Sequence, residues 1–265
     1  MQEVIISQDK QNNKIVALVE NGKLVEKYEE RPEQKRLEGN IYLGKVENVL
    51  VGMQAAFVDI GFSEDGKTYI FGTYGKTDKN YEPWAEIYTV DVAANEFVKG
   101  EVFKSKKGDV NSNASGKDAF EKLKSSTEWK LGKYNAKPAD ANTLLYIRDT
   151  ESKGETEEIV FKDFENSTDE KSIFYNVRLV PEYEGSGKSV KSKFYIDVVR
   201  KDENGEVLST MKVGTPDFKR KGISGYKIDK IFTDASGKSL VFIVQKKLED
   251  STGTSIRYMV ETYRF

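Results

Sequence analysis

The chain has 265 residues with no cysteine and no histidine, and its 42 basic and 44 acidic side chains give a formal charge of −2. The missing cysteines exclude a disulfide framework, a thiol nucleophile, a zinc finger and an iron–sulfur cluster, and the missing histidines exclude a Ser-His-Asp triad. The balanced charge gives no global attraction to nucleic acid, so carboxylate, lysine or tyrosine chemistry, or a purely binding role, remains.

Short apolar and β-branched runs predict strands throughout the N-terminal part of the chain. These runs lie at residues 4–6, 14–19, 24–30, 41–50, 53–60, 69–74 and 85–92. Asn21-Gly22, between the second and third runs, is a strong signal for a β-hairpin turn.

One segment in the middle of the chain predicts a helix. Residues 104–117 are polar and rich in Gly, Ser and Asn, which indicates a loop. In residues 118–134 the side chains of Phe120, Leu123 and Leu131 fall near one stripe, with Asp118 as the predicted N-cap and Gly132 near the end.

Strand patterns resume after Pro138 and continue to the C-terminus. They lie at residues 144–148, 158–164, 172–180, 193–200, 206–213, 226–232, 240–245 and 256–262, with turns at 203–205 and 236–238. This spacing predicts a mainly β fold of antiparallel sandwich-like or barrel-like sheets, with one packed helix near 118–134.

Two segments of the chain echo each other weakly. Residues 62–71 and 232–242 share the pattern of an aromatic residue, a polar Gly-Lys turn and an apolar strand, with one residue inserted. A repeated unit would suggest a propeller blade, whereas an ordinary hairpin needs no repeat. Two copies are few for a repeat architecture, so the hairpin interpretation is favoured.

The polar loop carries a weak resemblance to a calcium site. Asp109, Asn111 and Asn113 have the spacing that opens an EF-hand loop. That loop requires Gly at its sixth position and Glu at its twelfth, where this chain has Ala114 and Phe120. A solvated linker is the favoured interpretation.

Three further groups of side chains are candidate sites. Asp163 and Glu165 would share a strand face and could act as paired carboxylates, although a solvated face is favoured. A cluster of three lysines in the polar loop could contact phosphate, but a solvated surface is the default interpretation. An aromatic group could bind a sugar or peptide or could equally pack in the core. The loop cluster is Lys104, Lys106 and Lys107, and the aromatic group is Tyr81, Trp84 and Tyr88. We assign no catalytic residue, metal ligand or cofactor.

The segments ALVENGKLVEKYEERP (residues 17–32) and GNIYLGKVENVLVGMQAAFVDIG (39–61) carry a family resemblance. Through them, residues 1–61 resemble the N-terminus of the ribonuclease E/G family. The resemblance implies an RNase H-like start, the opening of an S1 domain, and single-stranded RNA as a partner through residues 39–61. It also implies RNA contacts at Phe57, Tyr42 and Lys45, although Phe57 and Tyr42 could instead be barrel core. The catalytic aspartates and the zinc-linking cysteines of that family have no counterpart here.

The stretches GFSEDGKTYIFGTYG (residues 61–75), AEIYTVDVAANEFVKGEVF (85–103), SGKSLVFIVQK (236–246) and SIRYMVET (255–262) carry a second resemblance. Here the chain is similar to a bacterial family of predicted secreted proteins with no assigned function, whose members are normally exported behind a signal peptide. The N-terminus MQEVIISQDKQ has no signal-peptide pattern, and no apolar run is long enough for a membrane span. We therefore expect a cytoplasmic location for the chain as written.

The two resemblances predict a hybrid of an N-terminal β unit (residues 1–61) and a β-rich domain (62–265) that folds alone. Neither part is basic. The leading functional hypothesis is a non-enzymatic binding or structural protein of extracytoplasmic type with an unassigned ligand. The alternative is an RNA-binding module that lacks the catalytic domain of ribonuclease E/G, and a carboxylate-based hydrolase is a third, weaker hypothesis.

Overall fold

The computed structural model describes residues 2–8, 14–20, 23–30, 55–77, 80–140, 143–148, 158–163, 166–168, 171–250 and 253–265, the first three segments by their backbone alone. Contacts between residues divide the chain into two compact units, Met1–Glu47 and Asn48–Phe265. The α-helix in the described part of the chain is too short and too polar to cross a membrane.

The first unit contains a three-stranded antiparallel sheet. Its strands are β1 (Gln2–Gln8), β2 (Lys14–Glu20) and β3 (Lys23–Glu30), in the order β1-β2-β3. The predicted strands at 4–6, 14–19 and 24–30 are therefore confirmed. The predicted turn at Asn21-Gly22 and the predicted strand at 41–50, with Tyr42 and Lys45, lie outside the described residues.

The second unit opens with a four-stranded meander, here named the front sheet. It consists of β4 (Ala55–Phe62), β5 (Thr68–Lys76), β6 (Pro83–Asp91) and β7 (Glu96–Lys104), paired in chain order. Strand β4 crosses residue 61 and pairs with β5, so both sides of the junction between the two resemblances lie in one sheet. The sequence did not predict β7, because its side chains are mostly exposed and show no apolar face.

The helix α1 (Gly116–Leu131) follows the front sheet and ends in a 3-10 turn at Gly132–Tyr134. Asp118 is not the N-cap, as the sequence suggested; Ser115 is. The Ser115 hydroxyl accepts a hydrogen bond from the Asp118 N–H at 3.1 Å, and the Asp118 carboxylate accepts one from the Ser115 N–H at 2.7 Å. This reciprocal capping box satisfies two backbone donors that a helix start leaves open, which places the helix start two residues earlier than predicted.

The helix packs on the outer face of the front sheet. Phe120, Leu123 and Leu131, the stripe expected from sequence, are buried against Ile70 and other apolar residues of the sheet. A Cβ on Gly72 would lie 2.2 Å from the Phe120 ring, so only glycine at this strand position lets the ring pack against the sheet.

The remaining strands form two more antiparallel sheets. The chain first makes β8 (Leu144–Ile147), then the back sheet, then three long strands that join β8 in the middle sheet. The back sheet has the order β12-β11-β10-β9, with a short β13 paired to β11, and the middle sheet has the order β16-β15-β14-β8. These strands are β9 (Glu158–Lys162), β10 (Ile173–Glu184), β11 (Lys191–Asp202), β12 (Val207–Val213), β13 (Arg220–Lys221), β14 (Ile223–Thr233), β15 (Ser239–Asp250) and β16 (Gly253–Arg264).

The middle sheet is covered on both faces. Leu240, Phe242 and Val244 of β15 belong to a core shared with the back sheet, whereas Val241 and Ile243 belong to a core shared with the front sheet. A strand buried on both faces needs apolar residues at both parities, which explains its continuous apolar run. The mainly antiparallel β fold with a packed helix is thus confirmed in the described residues.

The two segments that echo each other are both hairpins, and their turns touch. The β4–β5 turn and the β14–β15 turn meet where the Ser239 hydroxyl donates to the Gly66 carbonyl at 2.9 Å. The Arg264 guanidinium Nη1 donates to the same carbonyl and to the Ser239 hydroxyl, each at 2.7 Å. The last strand of the chain therefore ties the front and middle sheets together at this end.

Candidate ligand-binding cavity

A cavity of about 430 Å³ lies where the front and middle sheets separate. Two of its lining residues, Tyr88 and Tyr258, pack against the core between these sheets, and two others, Ile223 and Leu248, belong to the core of the middle and back sheets. The cavity is lined by Ala55, Thr73, Thr77, Trp84, Glu86, Tyr88, Ile223, Lys246, Leu248, Arg257 and Tyr258.

Strand β6 supplies one wall through three alternate residues. Trp84, Glu86 and Tyr88 share a strand face because side chains alternate along a strand. The Lys104 ammonium lies 2.7 Å from Glu86 Oε1, and the Tyr88 hydroxyl donates to Glu86 Oε2. Burial, and then the bond to Glu86, raise the pKa of Tyr88 above its usual range. Both carboxylate oxygens of Glu86 are therefore already engaged.

Strands β15 and β16 supply two cations to the opposite wall. Lys246 and Arg257 are directly paired positions in the antiparallel register. The Arg257 guanidinium carbon lies 5.1 Å from the centre of the Trp84 ring, and its Nη1 is buried without a hydrogen-bond partner in the described structure. Burial, and then the charges of Arg220 and Arg257, lower the pKa of Lys246.

The charge balance of the cavity is positive. Glu86 is the acidic residue of the lining, and the Lys104 ammonium at 2.7 Å neutralises it. Lys246 and Arg257 have no comparable counter-ion among the described side chains. The cavity thus combines apolar and aromatic walls with two cations that pair with no acid among the described side chains.

Another partly buried carboxylate, Asp59 of β4, has a structural role. The Tyr69 hydroxyl donates to Asp59 Oδ1 at 2.8 Å, and the Ala139 N–H donates to Oδ2 at 2.7 Å. Burial raises the pKa of Asp59, and these two hydrogen bonds partly oppose that effect. Nearby, Phe62 and Lys137 exchange backbone hydrogen bonds at 3.2 and 3.0 Å, so β4 holds the segment that follows the helix.

Comparison with known proteins places this fold in a family. The family described as "Predicted secreted protein (DUF2259)" matches residues 70–264, which is most of the chain. The chain belongs to this family. The match begins inside β5, so the inter-sheet cavity lies largely within the part of the chain that characterises the family. No solved structure matches the chain.

The N-terminal segment is similar to different proteins. Ribonuclease G of Haemophilus influenzae is 51% identical over 53 residues, which cover 20% of this chain and 11% of the relative. Ribonuclease G of Escherichia coli K12 is 51% identical over 49 residues, or 18% of this chain and 10% of the relative. The chain thus spans about a tenth of the length of these relatives, and both predicted resemblances are confirmed.

The structure brings together part of the predicted aromatic group. Trp84 and Tyr88 both line the cavity, whereas the side chain of Tyr81 is 70% exposed in the turn before β6. Phe57 is half-buried, with ring centres 5.6 Å from Phe71 and 5.7 Å from Tyr258. Its ring therefore packs beside the cavity, and its predicted RNA contact stays a prediction.

Asp163 is not on the solvated face that the sequence favoured. Its side chain is buried at the end of β9, where Asp163 Oδ2 lies 3.0 Å from an Arg200 nitrogen of the back sheet. The Arg200 guanidinium also lies over the rings of Tyr175 and Phe265. Glu165 lies outside the described residues.

The lysine cluster and the calcium-like loop lie on the protein surface. Besides the Lys104–Glu86 pair, the Lys107 ammonium lies 2.6 Å from Glu82 Oε1. Asp109 accepts a hydrogen bond from the Lys106 backbone at 2.7 Å, which forms a local turn. Within the described ranges, no group of three or more acidic side chains is arranged to hold a metal ion.

Proposed function

We propose that the chain is a non-enzymatic, extracytoplasmic-type binding protein, and that the inter-sheet cavity is its ligand site. The observation that carries this proposal is the cavity of about 430 Å³, where Trp84 and Tyr258 converge with the unpaired Nη1 of Arg257. Small-molecule sites are usually mostly apolar clefts of roughly 300–1,000 Å³ with a few placed polar groups. The family's description as secreted supports a role outside the cytoplasm.

The state of Glu86 favours binding over hydrolysis. A general base needs a carboxylate that can reach a substrate proton. Both oxygens of Glu86 accept from protein donors, one from Lys104 and one from Tyr88. The cavity therefore presents donors and apolar surface to a ligand rather than a free catalytic carboxylate.

A neutral fluorescent probe tests the proposal. N-phenyl-1-naphthylamine is uncharged and brightens in apolar surroundings, so it reports on the cavity independently of charge. We expect saturable binding by the full chain and its loss in Trp84→Leu. The matched control is Trp129→Leu, because Trp129 is 81% exposed on the helix surface. Equal binding by the two variants, or no saturable binding by the unaltered chain, would overturn the proposal.

A second candidate function is binding of single-stranded RNA through Phe57, Tyr42 and Lys45. It is supported by the match of 51% identity to ribonuclease G. Fluorescence anisotropy with a labelled RNA oligonucleotide tests it. The hypothesis requires binding that weakens with salt and falls in Phe57→Leu, which retains an apolar side chain but removes the stacking ring. If the oligonucleotide does not bind to the full chain at low salt, this function is excluded.

A further inference from the structure

The two cations of the cavity occupy an unfavourable arrangement. Lys246 and Arg257 are directly opposite each other on neighbouring antiparallel strands, so their side chains leave the sheet on the same face. Like charges at such positions destabilise a sheet. Both residues are partly buried, and partial removal from water makes a charge without a counter-ion more costly still.

The surroundings of these cations do not compensate for their charge. Arg257 Nη1 is buried without a hydrogen-bond partner among the described residues, although Trp84 covers the guanidinium face at 5.1 Å. Glu86 already accepts from Lys104 and Tyr88. Glu261, the other acidic group that acts on Lys246, is paired with Arg220 at 3.4 Å and accepts from Asn95 at 2.6 Å.

From this arrangement we infer that the ligand carries an anionic group, a carboxylate, sulfonate or phosphate, that binds between Lys246 and Arg257. This inference rests on the proposed function and specifies the ligand class for the same cavity. An oxyanion accepts several hydrogen bonds at once, and a guanidinium and an ammonium donate them in charge-assisted form. The apolar part of the ligand then lies against Trp84, Tyr258 and Leu248, which line the same space.

A pair of matched probes tests the inference. 8-Anilinonaphthalene-1-sulfonate is N-phenyl-1-naphthylamine with one added sulfonate, so the two differ by the anion alone. We expect the full chain to bind the sulfonate at least about tenfold more tightly, as two charge-assisted hydrogen bonds would give. Lys246→Met should lower that preference severalfold, because the side chain keeps its length and loses its charge.

The control variant is Lys247→Met, the next residue of β15. Lys247 is half-exposed and lies 3.7 Å from Glu249, so this variant should keep the preference for the sulfonate. Equal affinity of the full chain for both probes would overturn the inference and leave the cavity as a neutral site. Failure of N-phenyl-1-naphthylamine to bind would instead overturn the proposed function.

A measurement without ligand gives a second readout. If the two cations lack a counter-ion, Lys246→Met should raise the urea midpoint of the full chain in a buffer of low anion content. Inorganic phosphate should then raise the midpoint of the unaltered chain more than that of the variant. A lower midpoint for Lys246→Met in the absence of phosphate would contradict the claim that Lys246 is uncompensated.

Discussion

Substitution of Asp59 measures how firmly the ribonuclease-like strand β4 is built into the family fold. Asp59→Ala leaves two donors without an acceptor, the fully buried Tyr69 hydroxyl and the Ala139 N–H. Each donor left without a partner inside the protein costs about 1–3 kcal/mol, and removal of the partly buried carboxylate recovers part of this. We expect the free energy of unfolding to fall by about 2–4 kcal/mol.

Two further variants divide this cost between the two hydrogen bonds. Asp59→Asn keeps an acceptor for one donor, so we expect a loss of about 1–2 kcal/mol. Tyr69→Phe removes the donor together with its need for a partner, so the loss should be about 1 kcal/mol. In the Tyr69→Phe background, Asp59→Ala should lower the free energy of unfolding by less than it does in the unaltered chain, because residue 69 no longer has a hydroxyl to leave unpaired.

Urea unfolding followed by tryptophan fluorescence is the suitable assay. Trp84 and Trp129 both lie in the second unit, so the signal reports on the unit that contains β4. Glu64→Ala is the control, because Glu64 is exposed in the turn after β4. If Asp59→Ala and Glu64→Ala agree within about 0.5 kcal/mol, the buried hydrogen bonds do not hold β4, and this reasoning is refuted.

Three other predictions follow from the same structure. Gly61→Ala should lower the free energy of unfolding by more than about 3 kcal/mol, because φ is +117° and a Cβ would lie 1.8 Å from the Lys137 carbonyl oxygen. The control Gly108→Ala, in open space at φ +87°, should lower it by about 1–2 kcal/mol, and equal losses in urea unfolding would contradict this. The pKa of Lys246 is lowered in the folded state, so at this site the unfolded chain binds more protons between that pKa and 10.5. The stability of the unaltered chain should therefore rise with pH across this window relative to that of Lys246→Met, and a constant difference between the two would refute this. Removal of residues 1–47 should leave the fluorescence-detected transition unchanged, whereas removal of residues 1–61 should lower its midpoint because β4 is lost; equal midpoints would show that β4 is dispensable.

Much of the fold could be predicted from the sequence because the strands carry clear local patterns. The strand β15 shows a continuous apolar run and the turn at residues 203–205 contains Gly205 at φ +84°, which suits a hairpin turn. Strand β7 was missed because it shows no apolar face in the sequence. Its strand conformation comes from pairing with β6. The helix start was misplaced by two residues because Ser115 and Asp118 act together as a capping box.

The candidate site could be predicted only in part. Trp84 and Tyr88 were recognised as members of an aromatic group, and they share a face because they lie four residues apart on one strand. Lys246 and Arg257 were not, because each alone looks like an ordinary polar residue at the end of an apolar run. Their significance depends on the β15–β16 register and on the packing of Trp84, which the local sequence does not encode.

Crystallisation of the full chain with 4-bromobenzoate tests the central claim most directly, because bromine can be located by its anomalous scattering. The account predicts a bromine peak inside the inter-sheet cavity, with the carboxylate within hydrogen-bond distance of Lys246 Nζ and Arg257 Nη1. Bromine bound elsewhere, or an unoccupied cavity at saturating 4-bromobenzoate, would contradict the claim that this cavity binds an anionic ligand.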